Sequence, residues 1–389
     1  MAKQKVDFGT SIHDDVLAGL TSDSSRPLMV FVVGAGASKA ISQNFPSGQQ
    51  LAQQLYTESA TYLAGVIDYV IAHAGSRHAI EESRFTLMGD TSIGIYQLIL
   101  LHIQHYQPFE SQDVVDFAAE MARTPSLLSK ASIDAFLTSR TGADSQIGRL
   151  LIAFALLQSE RSHIESLDSD PYSGERALAE GKDGSWDWLE VVAAHVIESL
   201  ESGNGWRFAF TTFNYDRTIE YYLSHRLAGA KLGHRTAVGA TRHLLREVPI
   251  VHVHGMIRHG FELGRSIGYG QPFTEAEDVQ GNLAIIGEET PEFRRTSRIG
   301  ELMSRADRVV FLGFGYDRQN LNRIRPDPFN PTQSLCGTTY RIQTTEERDR
   351  ISRDVSDSFG HDPHLLPSDF DCLKLVRSEE LWKPPPAHP

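Results

Sequence analysis

The run Leu28-Met29-Val30-Phe31-Val32-Val33, followed at once by Gly34-Ala35-Gly36-Ala37-Ser38, constrains this chain more than any other stretch. Six apolar residues with no polar alternate cannot lie in a sheet that has one wet face. The pattern is that of a parallel strand covered on both sides and ending in a tight turn. Gly34 and Gly36 allow a phosphate to approach the backbone closely, and Ser38 with the amides after it adds donors at a helix start. The full GxGxxG spacing is not met, because Lys39 stands at the third glycine position, and no GK[ST] phosphate loop occurs. The turn is open to two readings, nucleotide binding and a plain strand-to-helix turn.

The same grammar returns after position 200. Strands are expected at Arg207 to Thr212, Pro249 to His254, Ala284 to Gly287, Arg308 to Gly313 and Thr338 to Ile342. Helices alternate with them at Asp216 to about His225, about Pro291 to Arg305, a further short helix between the strands at Arg308 to Gly313 and Thr338 to Ile342, and Thr345 to Arg353. Such alternation implies a parallel sheet with helices on both faces. Between 57 and 200 strand signals almost vanish, and helices are expected at Ile93 to His105, Ser111 to Ala122, Ser132 to Thr138, Gln146 to Arg161 and Trp186 to Leu200. In the fourth, Ile147, Leu150, Leu151, Phe154 and Leu157 recur at the spacing of one buried face. The expectation is an α/β, Rossmann-like parallel sheet with a large helical insertion. Residues 1–56 and 201–376 form the sheet domain, 57–200 the insertion, and 377–389 a proline-rich tail. Ser47, after Pro46, is expected to cap a helix from Gln49 to Tyr56.

Polar residues cluster where these strands end, the edge at which open α/β sheets bind ligands. Thr211-Thr212-Phe213-Asn214-Tyr215-Asp216 closes one strand, with Asn214 either a ligand contact or a turn former and Asp216 either a ligand contact or a helix cap. Val251-His252-Val253-His254-Gly255 closes another, and strand alternation puts both imidazoles on one face. They are candidates for two metal ligands, for one general base, or for structural histidines. Val309 to Leu312 runs into Gly313-Phe314-Gly315-Tyr316-Asp317, with Arg323 and Arg325 beyond it as phosphate contacts or solvated surface.

Composition excludes several alternatives. A formal net charge of −13 disfavours general nucleic-acid binding. Two cysteines, Cys336 and Cys372, build neither a disulfide framework nor a four-cysteine zinc site. The N-terminal MAKQKVDFGT lacks a signal-peptide core and the longest apolar runs are too short for a membrane span, so cytoplasm is the expected compartment.

In this order, Gly34 to Ser38, Phe213 to Asp216, His254-Gly255 and Gly313-Phe314-Gly315 resemble the NAD-site motifs of sirtuins, most closely the sirtuin-like proteins of bacterial antiphage defence. Phe45-Pro46-Ser47-Gly48, Ser132 to Leu137, and Phe311 to Asp317 followed by Asn320-Leu321 also look like that branch. The resemblance implies that Gly34, Ala35, Gly36 and Ser38 hold the NAD phosphates and ribose, and that Gly313 and Phe314 line the adenosine side. It implies Asn214 and Asp216 beside the nicotinamide ribose, with Asn214 and His254 catalytic. The zinc cysteines of deacylating sirtuins are absent, and Asn44 to Gly48 replaces their arginine-bearing loop.

The activity implied is metal-independent NAD hydrolysis to nicotinamide and ADP-ribose, with NAD as substrate and defence by NAD depletion. Homo-oligomerisation and a separately encoded activator, a HerA-type ATPase or a short Argonaute, are implied as partners. Rival readings are NAD or ADP-ribose sensing without turnover, protein deacylation or ADP-ribosyl transfer by the same pocket, and a metallohydrolase built on His252 and His254.

Overall fold

The computed structural model describes residues 26–47, 50–51, 143–167, 187–229, 246–255, 269–270 and 292–384. Among the described residues six strands, all parallel, form one sheet: β1 Leu28–Val33, β2 Arg207–Thr212, β3 Ile250–His252, β4 Arg308–Leu312, β5 Ser334–Gly337 and β6 His364–Leu365. Their order across the sheet is β3-β2-β1-β4-β5-β6. This is the 3-2-1-4-5-6 order of doubly wound dinucleotide-binding folds, in which the winding reverses between the first and fourth strands.

Helices cover both faces, in chain order α1 Ala35–Ile41, α2 Ala143–Leu167, α3 Asp187–Ser202, α4 Thr218–Gly229, α5 Glu292–Arg305, α6 Arg318–Arg323, α7 Thr345–Phe359, α8 Cys372–Val376 and α9 Glu379–Trp382. The apolar run of β1 shows why two layers are needed. Met29, Phe31 and Val33 enter one core with residues of α1, α3, α4, α8 and α9, while Leu28, Val30 and Val32 enter the other with α5, α6 and α7. All six are buried, and each large side chain so buried stabilises the fold by about 1.5–3 kcal/mol. A charged residue at Phe31 would break the first core at its centre.

α3, the last helix of the stretch read as an insertion, lies on the sheet. Its Trp188, Leu189, Val192 and Val196 are buried in the first core, and Trp188 Nε1 donates to Ala37 O at 2.9 Å. It therefore supports α1 from behind, and the expected boundary at 200 falls within it. α9 of the expected tail docks on the same face, where Trp206 Nε1 donates to Trp382 O at 2.8 Å and Trp382 stacks on His195. Ser47 and Gln50 form a reciprocal cap, Ser47 Oγ accepting from Gln50 N–H and Gln50 Oε1 from Ser47 N–H.

Three strands differ from expectation: β3 stops at His252, short of the expected His254, β6 has no counterpart among the expected strands, and the strand expected at Thr338 to Ile342 is displaced. β5 is Ser334–Gly337, and Thr338 to Ile342 is turn. The β-branched Thr338 and Thr339 spend their hydroxyls at the strand end, on Gly313 N–H and Leu366 O, while Gly337 lies beneath Phe311 and the Tyr316 hydroxyl, where a Cβ would collide. The helices expected at Ile93–His105, Ser111–Ala122 and Ser132–Thr138, and the strand at Ala284–Gly287, lie outside the described residues. Among the described residues no helix is long and apolar enough to cross a membrane.

Candidate functional site

Doubly wound sheets leave a crevice beyond the carboxyl ends of their strands at the point where the winding reverses. Here that point lies between β1 and β4, and the two turns following these strands are joined. Gly34 N–H donates to Leu312 O at 3.0 Å and Gly36 N–H to Gly313 O at 3.1 Å. A Cβ on Gly34 would lie 2.6 Å from Gly313 O and 2.8 Å from Phe314 Cα; one on Gly313, whose φ is +56°, would lie 2.0 Å from Ala37 N. These contacts are backbone against backbone and cannot be relieved by a rotamer. The glycines of both motifs thus answer first to each other, forming a side-chain-free seam. Ala35 is half-buried, Gly36 and Gly315 are exposed, and Phe314 is buried against Phe213 and Phe311.

Beside the seam, β2 ends in the loop from Phe213 to Arg217. Asn214 Nδ2 donates to Gly34 O at 3.1 Å and to Ser38 Oγ at 2.8 Å, and Ser38 Oγ donates to Asp216 Oδ2 at 2.8 Å. Asp216 Oδ1 accepts Thr218 N–H at 3.2 Å, so the carboxylate both caps the start of α4 and fixes the serine rotor. Asn214 N–H is held by Thr212 Oγ1 at 3.0 Å. Three residues from two separate motifs, Ser38, Asn214 and Asp216, are therefore one buried chain of hydrogen bonds. With Nδ2 committed, the Asn214 oxygen is the atom of that amide available to a ligand. Burial pushes the Asp216 carboxyl above the usual carboxylate range, opposed by the bonds from Thr218 and Ser38.

The two histidines part company. β3 stops at His252 and the chain turns, with Gly255 N–H donating to His252 O, so strand alternation no longer governs position 254. His252 points beneath the loop, its Nδ1 2.8 Å from Asn214 O and its Nε2 2.5 Å from Glu220 Oε1. His254 lies among Phe213, Tyr215 and Arg323, with ring centroids 5.6 and 5.8 Å from the two aromatics and Nδ1 3.5 Å from Arg323 Nη1. It therefore flanks Asn214 through both of that residue's neighbours. Arg325 is exposed and lies over the Phe329 ring.

Local patterns did not disclose a second layer. Glu160 on α2 and Arg217 are both wholly buried and paired: Glu160 Oε1 accepts Arg217 Nε–H at 3.1 Å and its backbone N–H at 3.3 Å, while Oε2 accepts Nη2–H at 2.5 Å and Gly270 N–H at 3.2 Å. Burial works against the guanidinium charge and the Glu160 carboxylate outweighs it, holding Arg217 above its ordinary value. The Tyr269 hydroxyl lies 3.2 Å from both Thr218 Oγ1 and His163 Nδ1, and burial beside Glu160 and Asp216 keeps it protonated. Only the run Asp216-Arg217-Thr218, three polar residues opening a buried helix, hinted at this in the sequence.

No group of three or more metal-ligating side chains occurs among the described residues. Burial pushes the thiols of Cys336 and Cys372 up to about 12, so neither is a nucleophile at neutral pH. Compared with known protein families and with curated proteins, the chain matches no family model and no curated protein.

Proposed function

We propose that this chain binds NAD across the seam between β1 and β4 and hydrolyses the bond between nicotinamide and ribose. The observation that carries this reading is the Asn214–Ser38–Asp216 chain of hydrogen bonds, set beside a glycine seam at the reversal point of a 3-2-1-4-5-6 sheet. Gly34, Ala35, Gly36 and Ser38 then border the dinucleotide on one side, and Gly313 and Phe314 on the other.

In the reaction, the glycosidic C–N bond breaks with its electron pair going to the pyridinium, which leaves as neutral nicotinamide. Water adds to the anomeric carbon of the oxocarbenium-like ribosyl centre and loses a proton, giving ADP-ribose. Asn214 Oδ1 orients the ribose hydroxyl or that water, and His254 accepts the proton, a role that contributes about 10²- to 10⁴-fold. Asp216 holds Ser38 and, through it, the asparagine. No metal is required for a leaving group this good.

Uncontrolled hydrolysis would exhaust a cell's NAD. We accordingly propose a regulated cytoplasmic defence effector, working as a homo-oligomer with a separately encoded activator. His254 supports restraint: it is 3% exposed, and the guanidinium of Arg323 faces its Nδ1. The same observation favours a second reading, in which the pocket senses NAD or ADP-ribose without turnover. Nicotinamide release from NAD, measured chromatographically on the full chain with and without the neighbouring gene's product, tests the first. Asn214→Ala and His254→Ala are each expected to abolish it, and full activity in either would remove the assignment. Calorimetric NAD binding without nicotinamide release under both conditions would establish the second.

A further inference from the structure

We propose that His252 and Glu220 form a positioning dyad that sets the peptide plane of Asn214, and that His252 is neither a base nor a metal ligand. The inference rests on the reading of Asn214 above only for its catalytic consequence. The geometry stands by itself. A carbonyl oxygen can only accept, so at 2.8 Å the His252 Nδ1 must carry a hydrogen and donate it to Asn214 O. This leaves Nε2 facing the Glu220 carboxylate at 2.5 Å, and the two side chains are 4% and 3% exposed. One ring therefore ties β3 and α4 to the backbone of the residue whose side chain reaches Gly34 O and Ser38.

The strands supply the rigid footing. Thr212 and His252 are register partners across β2 and β3, and Val253 N–H donates to Thr212 O at 2.8 Å. From Thr212 to Asn214 the chain leaves the sheet, and the imidazole replaces the missing ladder contact on the carbonyl of Asn214. Without it the peptide can rotate, and the amide nitrogen of Asn214 loses its aim at two acceptors simultaneously. Burial works against the imidazolium charge, but attraction and hydrogen bonding to Glu220, with the bond to Asn214 O, outweigh it and hold His252 above its ordinary value; Asp216 adds in the same direction.

Isosteric replacement separates the two ring nitrogens. Asparagine puts a donor near the place of Nδ1 and glutamine near that of Nε2. In the full chain, His252→Ala and His252→Gln are expected to speed amide hydrogen exchange in a peptide covering 213–218 by about tenfold, the worth of one hydrogen bond. Exchange in 28–33 and 308–312 should stay unchanged, and His252→Asn should restore protection of 213–218. NAD binding should follow the same order, and where nicotinamide is released kcat should fall about 10²-fold in the glutamine variant and recover in the asparagine variant. Equal effects of asparagine and glutamine, or unchanged exchange in the alanine variant, would overturn the dyad. Should the alanine variant lose protection throughout, the asparagine and glutamine pair decides. A wild-type chain that neither binds nor cleaves NAD would end the functional reading while the exchange data still judged the dyad.

Discussion

Glu160→Ala takes the carboxylate from a guanidinium that has no exposed surface. In the native chain Glu160 accepts three hydrogen bonds from Arg217 and one from Gly270 N–H, with neither charged side chain reaching solvent. Removing one partner of such a pair costs about 3–5 kcal/mol, because the remaining charge stays desolvated without its counter-ion. Beginning at the next residue of the same helix, Arg161 and Glu165 pair at 2.7 Å with 47% and 61% of their side chains exposed, and Glu165→Ala should cost only about 0.3–0.5 kcal/mol. Urea denaturation followed by tryptophan fluorescence measures both, since Trp188 and Trp206 lie in the first core. The double variant Glu160→Leu with Arg217→Met should recover most of the loss, as apolar replacement of a buried pair is often close to neutral. A loss of less than about 1 kcal/mol in Glu160→Ala, the range of exposed pairs, would show that the pair does not act as a buried one. So would simple additivity of the two single changes in the double variant.

The glycines offer a graded test: Gly313→Ala and Gly34→Ala drive a Cβ into backbone and are expected to lose soluble folded protein, whereas Gly315→Ala, with nothing within 4 Å, should keep its wild-type urea midpoint. Asp216→Asn removes a carboxylate that burial disfavours, and is expected to leave the urea midpoint at neutral pH equal or higher while weakening NAD binding in calorimetry through the loosened Ser38. His252 is raised in the folded state, so its contribution to stability is complete below the ordinary imidazole value of about 6.5 and is lost as pH rises through its folded value. Urea midpoints from about pH 6 upward should show that decline in the wild type and lack this component in His252→Asn, and identical profiles would contradict the assignment.

Much of the scaffold was legible because the forces that set it are local or periodic. The unbroken apolar run of β1, the similar runs of β2 and β4, and the helices between them announced a parallel sheet covered on both faces. Position 338 shows the limit: β-branched threonines read as strand, yet their hydroxyls end β5, since Gly313 N–H and Leu366 O are brought there by other parts of the chain. His252 and His254 show it again, because alternation holds only while a strand continues, and this one stops at 252.

The alternation of buried strands and helices, the glycine turns at their ends and the polar residues concentrated there follow from side-chain size, polarity and backbone freedom within a few neighbours along the chain. That Gly34 and Gly313 clear space for each other, that Ser38 joins Asn214 and Asp216, and that Glu160 meets Arg217 across 57 positions emerges from the folded chain alone. Those pairings form because burial leaves each polar group to find its complement inside the fold, and which complement lies within 3 Å depends on how distant segments are wound together.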